Sequence, residues 1–227
     1  MQNTSHAVMA QRIEPADSPD DFPTPPWATR ALMEHVIKDG GPFLAQSCLE
    51  PACGAGHMAK VLKEYFGEVR CSDAYDYRYG AIKDFLAAPY EADAVDWVIT
   101  NPPFRLAEDF VLRGLIVARA GVAILARTVF LESVGRYERV FQNRPPAKFA
   151  QFVERVPMVR GRLDSAASTA TGYAWLVWEK RGVATPRVVW IPPCRRGLER
   201  KGDYLAPSPH GQVSLASNAS APARKRV

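Results

Sequence analysis

Four short apolar runs of strand length, at residues 47–50, 69–73, 96–100 and 122–126, recur along the first part of the chain and leave it few architectures. A segment of helical spacing, 57–66, separates the first two, with Met58, Val61, Leu62 and Tyr65 along one side. Another, 106–120, separates the last two, with Phe110, Val111, Leu115 and Ile116 along its apolar side. Such alternation specifies strands joined by crossover helices. The expected fold class is α/β, with a mostly parallel twisted sheet and helices on both faces. Gly67 and Gly121 stand where the two helices would stop. Further helices are expected over 27–38, halted by Gly40-Gly41-Pro42, and over 133–143. Two later strands, 149–156 and 173–178, flank a polar, small-residue segment at 161–172 and are expected to form an antiparallel edge hairpin. Trp175 and Trp178, three apart on the second of these, would face opposite sides.

With 227 residues, 47% of them hydrophobic, the chain can bury one core. The reading is a flexible leader over 1–20, one domain over 21–182, and a basic, disordered tail over 183–227, in which 188–191 could add one strand or dock on the body and disorder is expected after Cys194. The tail holds eight basic and two acidic side chains, whereas the rest holds 21 basic and 22 acidic ones. A positive tail serves non-specific nucleic-acid contact or plain solubility alike. The most apolar stretch, 110–126, is interrupted by Arg113 and Arg119, so no membrane role is expected. No signal peptide is read at the N-terminus, and a cytoplasmic location is expected. Cys48, Cys53, Cys71 and Cys194 form no C-x-x-C pair, and no histidine spacing completes a zinc site, so no metal is expected.

Three features carry chemistry. Asn101-Pro102-Pro103-Phe104 follows the third apolar run, and its two prolines forbid the strand from continuing. What remains is a rigid turn with one amide, backbone carbonyls and one ring, suited to gripping a planar amino group. Glu50-Pro51-Ala52-Cys53-Gly54-Ala55-Gly56 forms the first strand-to-helix junction, where glycines let a ligand approach the backbone. Asp73 ends the second strand, 23 residues after Glu50, where an acid can grip both hydroxyls of a ribose. The turn has no G-K-[ST], which argues against a triphosphate, and Ala59 stands where a dinucleotide site would want a third glycine. A small nucleoside carrying positive charge fits better than a pyrophosphate.

On these motifs, together with Phe22-Pro23-Thr24-Pro25 and Asp84-Phe85, the sequence over about 20–180 resembles the class I S-adenosylmethionine-dependent methyltransferases. Within them it resembles the DNA adenine-N6 (amino-group) methyltransferases. The resemblance implies a Rossmann-like fold and S-adenosyl-L-methionine as cofactor. It implies that Phe22 and Thr24 close over the methionine part, with Glu50, Cys53, Gly54 and Gly56 beneath it. Asp73 would hold the ribose, Asp84 would accept from the adenine amino group of the cofactor, and Phe85 would lie beside that ring. Asn101 and the Pro102 carbonyl would hold the target amino group, with Pro103 in the same turn and Phe104 stacked on a base extruded from the duplex.

Other acceptors stay open, namely adenine in RNA or a glutamine amide in protein, as does a nucleic-acid-binding subunit without turnover. The family's sequence-specific members carry a sizeable target-recognition domain, and only 127–172 and the tail are available for one here. Arg136, Arg139, Arg144, Lys148 and Arg155 are candidate phosphate contacts, which position without specifying. DNA is the expected partner, with low sequence specificity or a separate specificity-conferring protein. Pro193-Cys194 resembles the nucleophile turn of cytosine ring-carbon methyltransferases, but a solvated tail is the plainer reading. His57 reads as a first-turn helix residue rather than a base. Asp164-Ser165 and Ser168-Thr169 occupy a loop where base contact and simple solvation are equally compatible.

Overall fold

The computed structural model describes residues 20–37, 43–180 and 185–204. Strands β1 (Phe43–Glu50), β2 (Phe66–Asp73), β3 (Ala81–Ile82), β4 (Val95–Thr100) and β5 (Ala118–Arg127) pair in parallel. With β6 (Lys148–Phe152), β7 (Tyr173–Glu179) and β8 (Arg187–Ile191) they form an eight-stranded sheet in the order β3-β2-β1-β4-β5-β7-β6-β8. Helices α1 (Pro26–Leu32), α2 (His57–Leu62), α3 (Ala107–Val117), α4 (Val134–Arg136) and α5 (Arg195–Leu198) surround it. α1 runs on into a π turn, Met33–Ile37, and α4 into another, Tyr137–Phe141. Pro26 opens α1 at the position where a missing N–H costs nothing.

The sheet is buried on both faces, which is why its central strands are apolar throughout rather than alternating. Ala123 and Leu125 of β5 join the core of Trp27, Leu32, Met58 and Leu62 from α1 and α2. Val122 and Ile124 of the same strand join Val98, Phe110 and Val111 on the α3 side. Trp175 and Trp178 do face opposite sides, one in each core. Each indole finds a carbonyl, Trp175 Nε1 on Ala28 at 3.0 Å and Trp178 Nε1 on Arg144 at 2.8 Å. Burying rings of this size contributes roughly 4–6 kcal/mol each before entropy is counted, at about 25 cal/mol per Å².

The structure corrects several local expectations. β6 and β7 pair antiparallel as anticipated, but β7 is inserted between β5 and β6, and β8 forms the outer edge. Gly67 does not stop a helix: it lies in β2, where an added Cβ would sit 2.0 Å from the Leu44 carbonyl oxygen. That contact falls at the irregularity in the β1–β2 register between Phe43 and Ser47. Gly121 likewise lies inside β5, and a Cβ there would meet the Trp97 ring at 2.5 Å. α3 ends at Val117 and passes straight into the strand.

Residues 185–204, read on composition as part of a tail, belong to the body. Ile191 is fully buried, and Val189 packs on the α1-side core. Arg30 of α1, itself buried, donates to the Leu198 carbonyl at 2.9 Å and to both oxygens of Asp203 at 2.7 and 2.9 Å. Its Nε and Nη2 also hold Glu64, at 3.0 and 2.8 Å. The local composition is polar because the apolar partners come from the far end of the chain. The leader through residue 19, the Gly40-Gly41-Pro42 stop and the basic run at 224–226 lie outside the described residues.

Candidate active site

The strand order reverses between β1 and β4, so the connections leaving their ends diverge and leave a crevice. Cys48 pairs with Trp97 and Leu49 with Val98. Glu50 is therefore abreast of Ile99, and the Gly turn and the Asn101-Pro102-Pro103-Phe104 turn open at the same end of the sheet.

In the Gly turn, Gly54 and Gly56 have φ of +47° and +80°, a region that disfavours side chains. The Gly54 N–H donates to Asp73 Oδ2 at 2.9 Å, and the Cys53 N–H donates to the Ser72 carbonyl at 3.0 Å. Asp73 also accepts from Tyr75 N–H through Oδ1 at 3.0 Å, so it ties the Gly turn to the end of β2. The two glycines have different reasons. A Cβ on Gly54 would meet nothing nearer than Asp21 Oδ1 at 3.8 Å, whereas one on Gly56 would enter the Tyr79 ring at 2.3 Å. Gly54 thus leaves room beside the turn, and Gly56 lets the 75–80 loop close against it. Gly80 does the same, since a Cβ there would lie 2.6 Å from Cys53 Sγ.

Three carboxyls converge here. Glu50 is buried, accepts from the Ala59 N–H, and has no partner for Oε2 among the described residues. Burial, then the charge of Asp73, push its carboxyl well above the usual carboxylate range. Burial and Asp73 also raise Asp21, against the opposing charge of Arg160. Such a cluster favours a cation.

The segment before α1 lies across the second turn. Asn101 Nδ2 donates to the Phe22 carbonyl at 2.8 Å and approaches Met158 Sδ at 3.8 Å. That bond fixes the amide's orientation and leaves Oδ1 buried without a partner among the described residues. Thr24 Oγ1 and Thr100 Oγ1 are in the same state. The Phe104 N–H donates to Asp20 Oδ2 at 2.7 Å, and the Gly161 N–H to the Asp21 carbonyl at 2.9 Å. The Phe104 ring is half-buried, with Phe22 at 5.5 Å, Tyr173 at 6.4 Å, and the Arg127 guanidinium over it at 4.2 Å. The Pro103 carbonyl accepts from Leu106 N–H at 2.9 Å, so Pro103 closes the turn into α3.

Phe22, Thr24, Glu50, Gly54, Asp73, Asn101, Pro102 and Phe104 therefore share one end of the sheet. Asp84 is exposed, caps the Leu86 N–H at 2.9 Å, and follows Lys83, whose N–H reaches the Asp73 carbonyl at 2.7 Å. Phe85 is not open to a ligand: it is 1% exposed, against Tyr90 and Phe110. Cys53 is buried too, and burial with Glu50 pushes its thiol to about 12. Lys148 is withdrawn from any phosphate role by Glu179 at 2.6 Å and the Val36 carbonyl at 2.9 Å. Arg136 points inward to the Phe130 carbonyl, and Arg139 pairs with Glu108 at 3.0 Å and Asp109 at 3.1 Å. Cys194 is half-buried beside Glu154, and its thiol is pushed up to about 11, which makes it a poor nucleophile. Burial and Lys60 lower His57 to about 4, so it is neutral. Asp164 accepts from Ala166 N–H at 3.0 Å and pairs with Arg162 at 3.2 Å, both within its own loop. Sequence reading missed Asp20, Asp21, Met158 and Arg127. Only Arg127 carried a local signal, as the first charge after an apolar strand.

No protein-family model matches the sequence, and no curated protein sequence matches it. Solved structures do. The modification subunit of a candidate type I restriction enzyme from Vibrio vulnificus is similar with a TM-score of 0.54 at 16% identity, over 76% of this chain and 48% of that one. The methyltransferase subunit of a type I restriction-modification system from Streptococcus thermophilus gives 0.49 at 13% identity, over 76% and 47%. A candidate RNA methyltransferase from Pyrococcus horikoshii gives 0.47 at 14%, over 61% and 74%. The chain spans about half the length of the first two. Strand order and the first of these similarities agree: the chain has the Rossmann-like α/β fold of the class I methyltransferases.

Proposed function

We propose that this chain transfers a methyl group from S-adenosyl-L-methionine to the exocyclic 6-amino group of adenine in DNA. The observation that carries the reading is Asn101: its NH₂ is committed to Phe22, which leaves a buried amide oxygen with no partner among the described residues at the end of the sheet where the crevice opens. An unpaired buried oxygen costs about 1–3 kcal/mol, which a bound amino group would relieve.

The residues present fit the cofactor. Glu50 Oε2 and Thr24 Oγ1 have no partner among the described residues, a bound cation would favour the charged forms of Asp21 and Glu50 beside Asp73, and Gly54 leaves space. Asp73 stands at the β2 end suited to a ribose, and Glu50 with Thr24 would face the methionine part. Asp84 and Phe22 complete the assignment at the two ends of the crevice, whereas Cys53, Gly56, Phe85 and Pro103 shape it from behind. When bound, the cofactor supplies a sulfonium methyl open to displacement.

An amino group conjugated with its ring is a poor nucleophile because its lone pair is delocalised. Asn101 Oδ1 and the Pro102 carbonyl accept its two hydrogens, which draws the nitrogen toward tetrahedral geometry and aims the lone pair. The gain is orientation and preorganised electrostatics. Phe104 stacks the base so that the nitrogen stays in that grip. After transfer the nitrogen is cationic and strongly acidic, and it gives its proton to solvent without a dedicated base.

One observation favours a second reading, a glutamine amide in protein. Of the basic side chains in 185–204, Arg195 pairs with Glu199 at 2.8 Å and Arg200 with Glu64 at 3.0 Å, so that stretch offers less to DNA than its composition suggests. Its amide has the same planar NH₂. Sequence preference in DNA would come from a separate specificity-conferring protein. Tritium transfer from labelled cofactor to adenine-containing duplexes tests the first reading. Incorporation that is absent, or indifferent to Asn101→Ala and Phe104→Ala, would sink it. Mass spectrometry of digested DNA, RNA and protein from expressing cells separates the acceptors.

A further inference from the structure

A cleft of about 270 Å³ opens at the end of β6 and β7, lined by Gln151, Glu154, Arg155, Tyr173 and Trp190. Tyr173 links it to the end of the sheet where Phe104 stands: its carbonyl accepts from Gln151 Nε2 at 3.4 Å, and its ring, on the α1-side core, lies 6.4 Å from Phe104. Gln151 pairs with Trp190 across β6 and β8, which brings the outermost strand into the cleft. Trp190 is 66% exposed, whereas Trp27, Trp97, Trp175 and Trp178 are 6% exposed or less. The acid in the cleft is turned to the backbone: Glu154 Oε2 accepts from the Cys194 and Arg195 N–H groups at 2.6 and 2.9 Å. Arg155 is exposed, with Nη1 steadied by the Ala170 carbonyl at 3.1 Å. An open indole and a guanidinium, at the same end of the sheet as Phe104, suit a base and its phosphate.

We propose that this cleft receives a nucleotide adjoining the target on the same strand, its base stacked on Trp190 and its phosphate held by Arg155. The inference rests on the adenine reading above. It gives β8 a task beyond closing the sheet, and it supplies contact to the substrate strand without a separate recognition domain.

The test uses the full chain and a labelled single-stranded oligothymidylate carrying one adenine. Because Trp190 is the indole that iodide reaches among the five, oligonucleotide binding should quench and shield the iodide-accessible emission. Trp190→Ala should weaken binding by roughly five- to a hundredfold, with Trp190→Phe recovering most of it. Arg155→Ala should lower the slope of log affinity against log salt by about 0.7. kcat at saturating oligonucleotide should stay unchanged in Trp190→Ala, with the loss confined to KM. If the wild type methylates adenine while Trp190→Ala binds no differently and the oligonucleotide leaves the iodide quenching of the wild type unchanged, the cleft assignment is overturned and the adenine reading stands. If the wild type labels only glutamine peptides, the adenine reading falls and the cleft assignment falls with it.

Discussion

The guanidinium of Arg127 lies 4.2 Å from the centroid of the Phe104 ring. Arg127 ends β5 opposite Tyr173 of β7, so two neighbouring strands carry a planar cation onto the ring assigned to the target base. A cation over an exposed ring contributes about 0.5–1 kcal/mol, whereas a stacked base contributes roughly 1–3 kcal/mol. On the proposed function, a base stacked on Phe104 would displace Arg127 and free it for a phosphate. Arg127→Ala should leave the cofactor Kd unchanged and lower the salt slope of oligonucleotide binding by about 0.7. Titration at several ionic strengths checks it, and an unchanged slope would place Arg127 outside the interface.

On the proposed function Asn101 has two separable tasks. Asn101→Ala removes the acceptor and should lower kcat by about a hundredfold to a thousandfold, with cofactor binding intact. Asn101→Asp keeps an acceptor but sets a carboxylate against the Phe22 carbonyl, which accepts the amide at 2.8 Å. It should retain part of the activity and lower Tm. Equal loss in both variants would mean that Asn101 only anchors the Phe22 segment.

Glu50 makes stability depend on pH with a definite sign. Its carboxyl is raised from an ordinary 4.5, so the folded protein binds more protons than the unfolded chain above that pH. Stability should fall as pH rises from about 4.5 toward the raised value. Glu50→Gln should flatten that fall, giving a higher Tm than wild type at about pH 8, while weakening cofactor binding. Differential scanning fluorimetry across pH, with and without cofactor, reads both effects.

Gly80→Ala should act on the site without touching a ligand. Its Cβ would stand 2.6 Å from Cys53 Sγ and 2.9 Å from the Cys71 carbonyl oxygen. The 75–80 loop must then lift from the Gly turn, at a cost of about 1–3 kcal/mol. The expected result is a lower Tm with a weaker cofactor Kd, measured by calorimetry. Gly135→Ala, where a Cβ meets nothing within 4 Å, is the neutral control.

Arg30→Ala should detach the C-terminal part of the body. It leaves the Asp203 carboxylate, 6% exposed, without its ion partner, whereas Glu64 keeps Arg200 at 3.0 Å. Breaking a buried pair of this kind costs about 3 kcal/mol. Limited proteolysis should then cut within 195–204 faster than in the wild type. Unchanged protection would show that α5 is held by packing alone.

By itself the sequence determined the parallel α/β core and the two turns at its strand ends. Those are local signals: apolar runs of strand length, helical spacing at Met58 to Leu62 and Phe110 to Val111, and prolines that end β4 before Asn101. The tertiary structure decided what such patterns cannot carry. Gly67 and Gly121 look like helix stops in sequence, but a carbonyl and an indole from other strands press against them. Phe85 reads as a ligand neighbour and is a core ring. Arg30 meets Asp203 across a separation of 173 residues and β8 pairs with β6, so that part of an apparent tail belongs to the body. Arg127 pairs with Tyr173 of β7 at the end of β5 and there reaches Phe104. Periodicity reports which face of an element is buried, but not which distant residue will bury it.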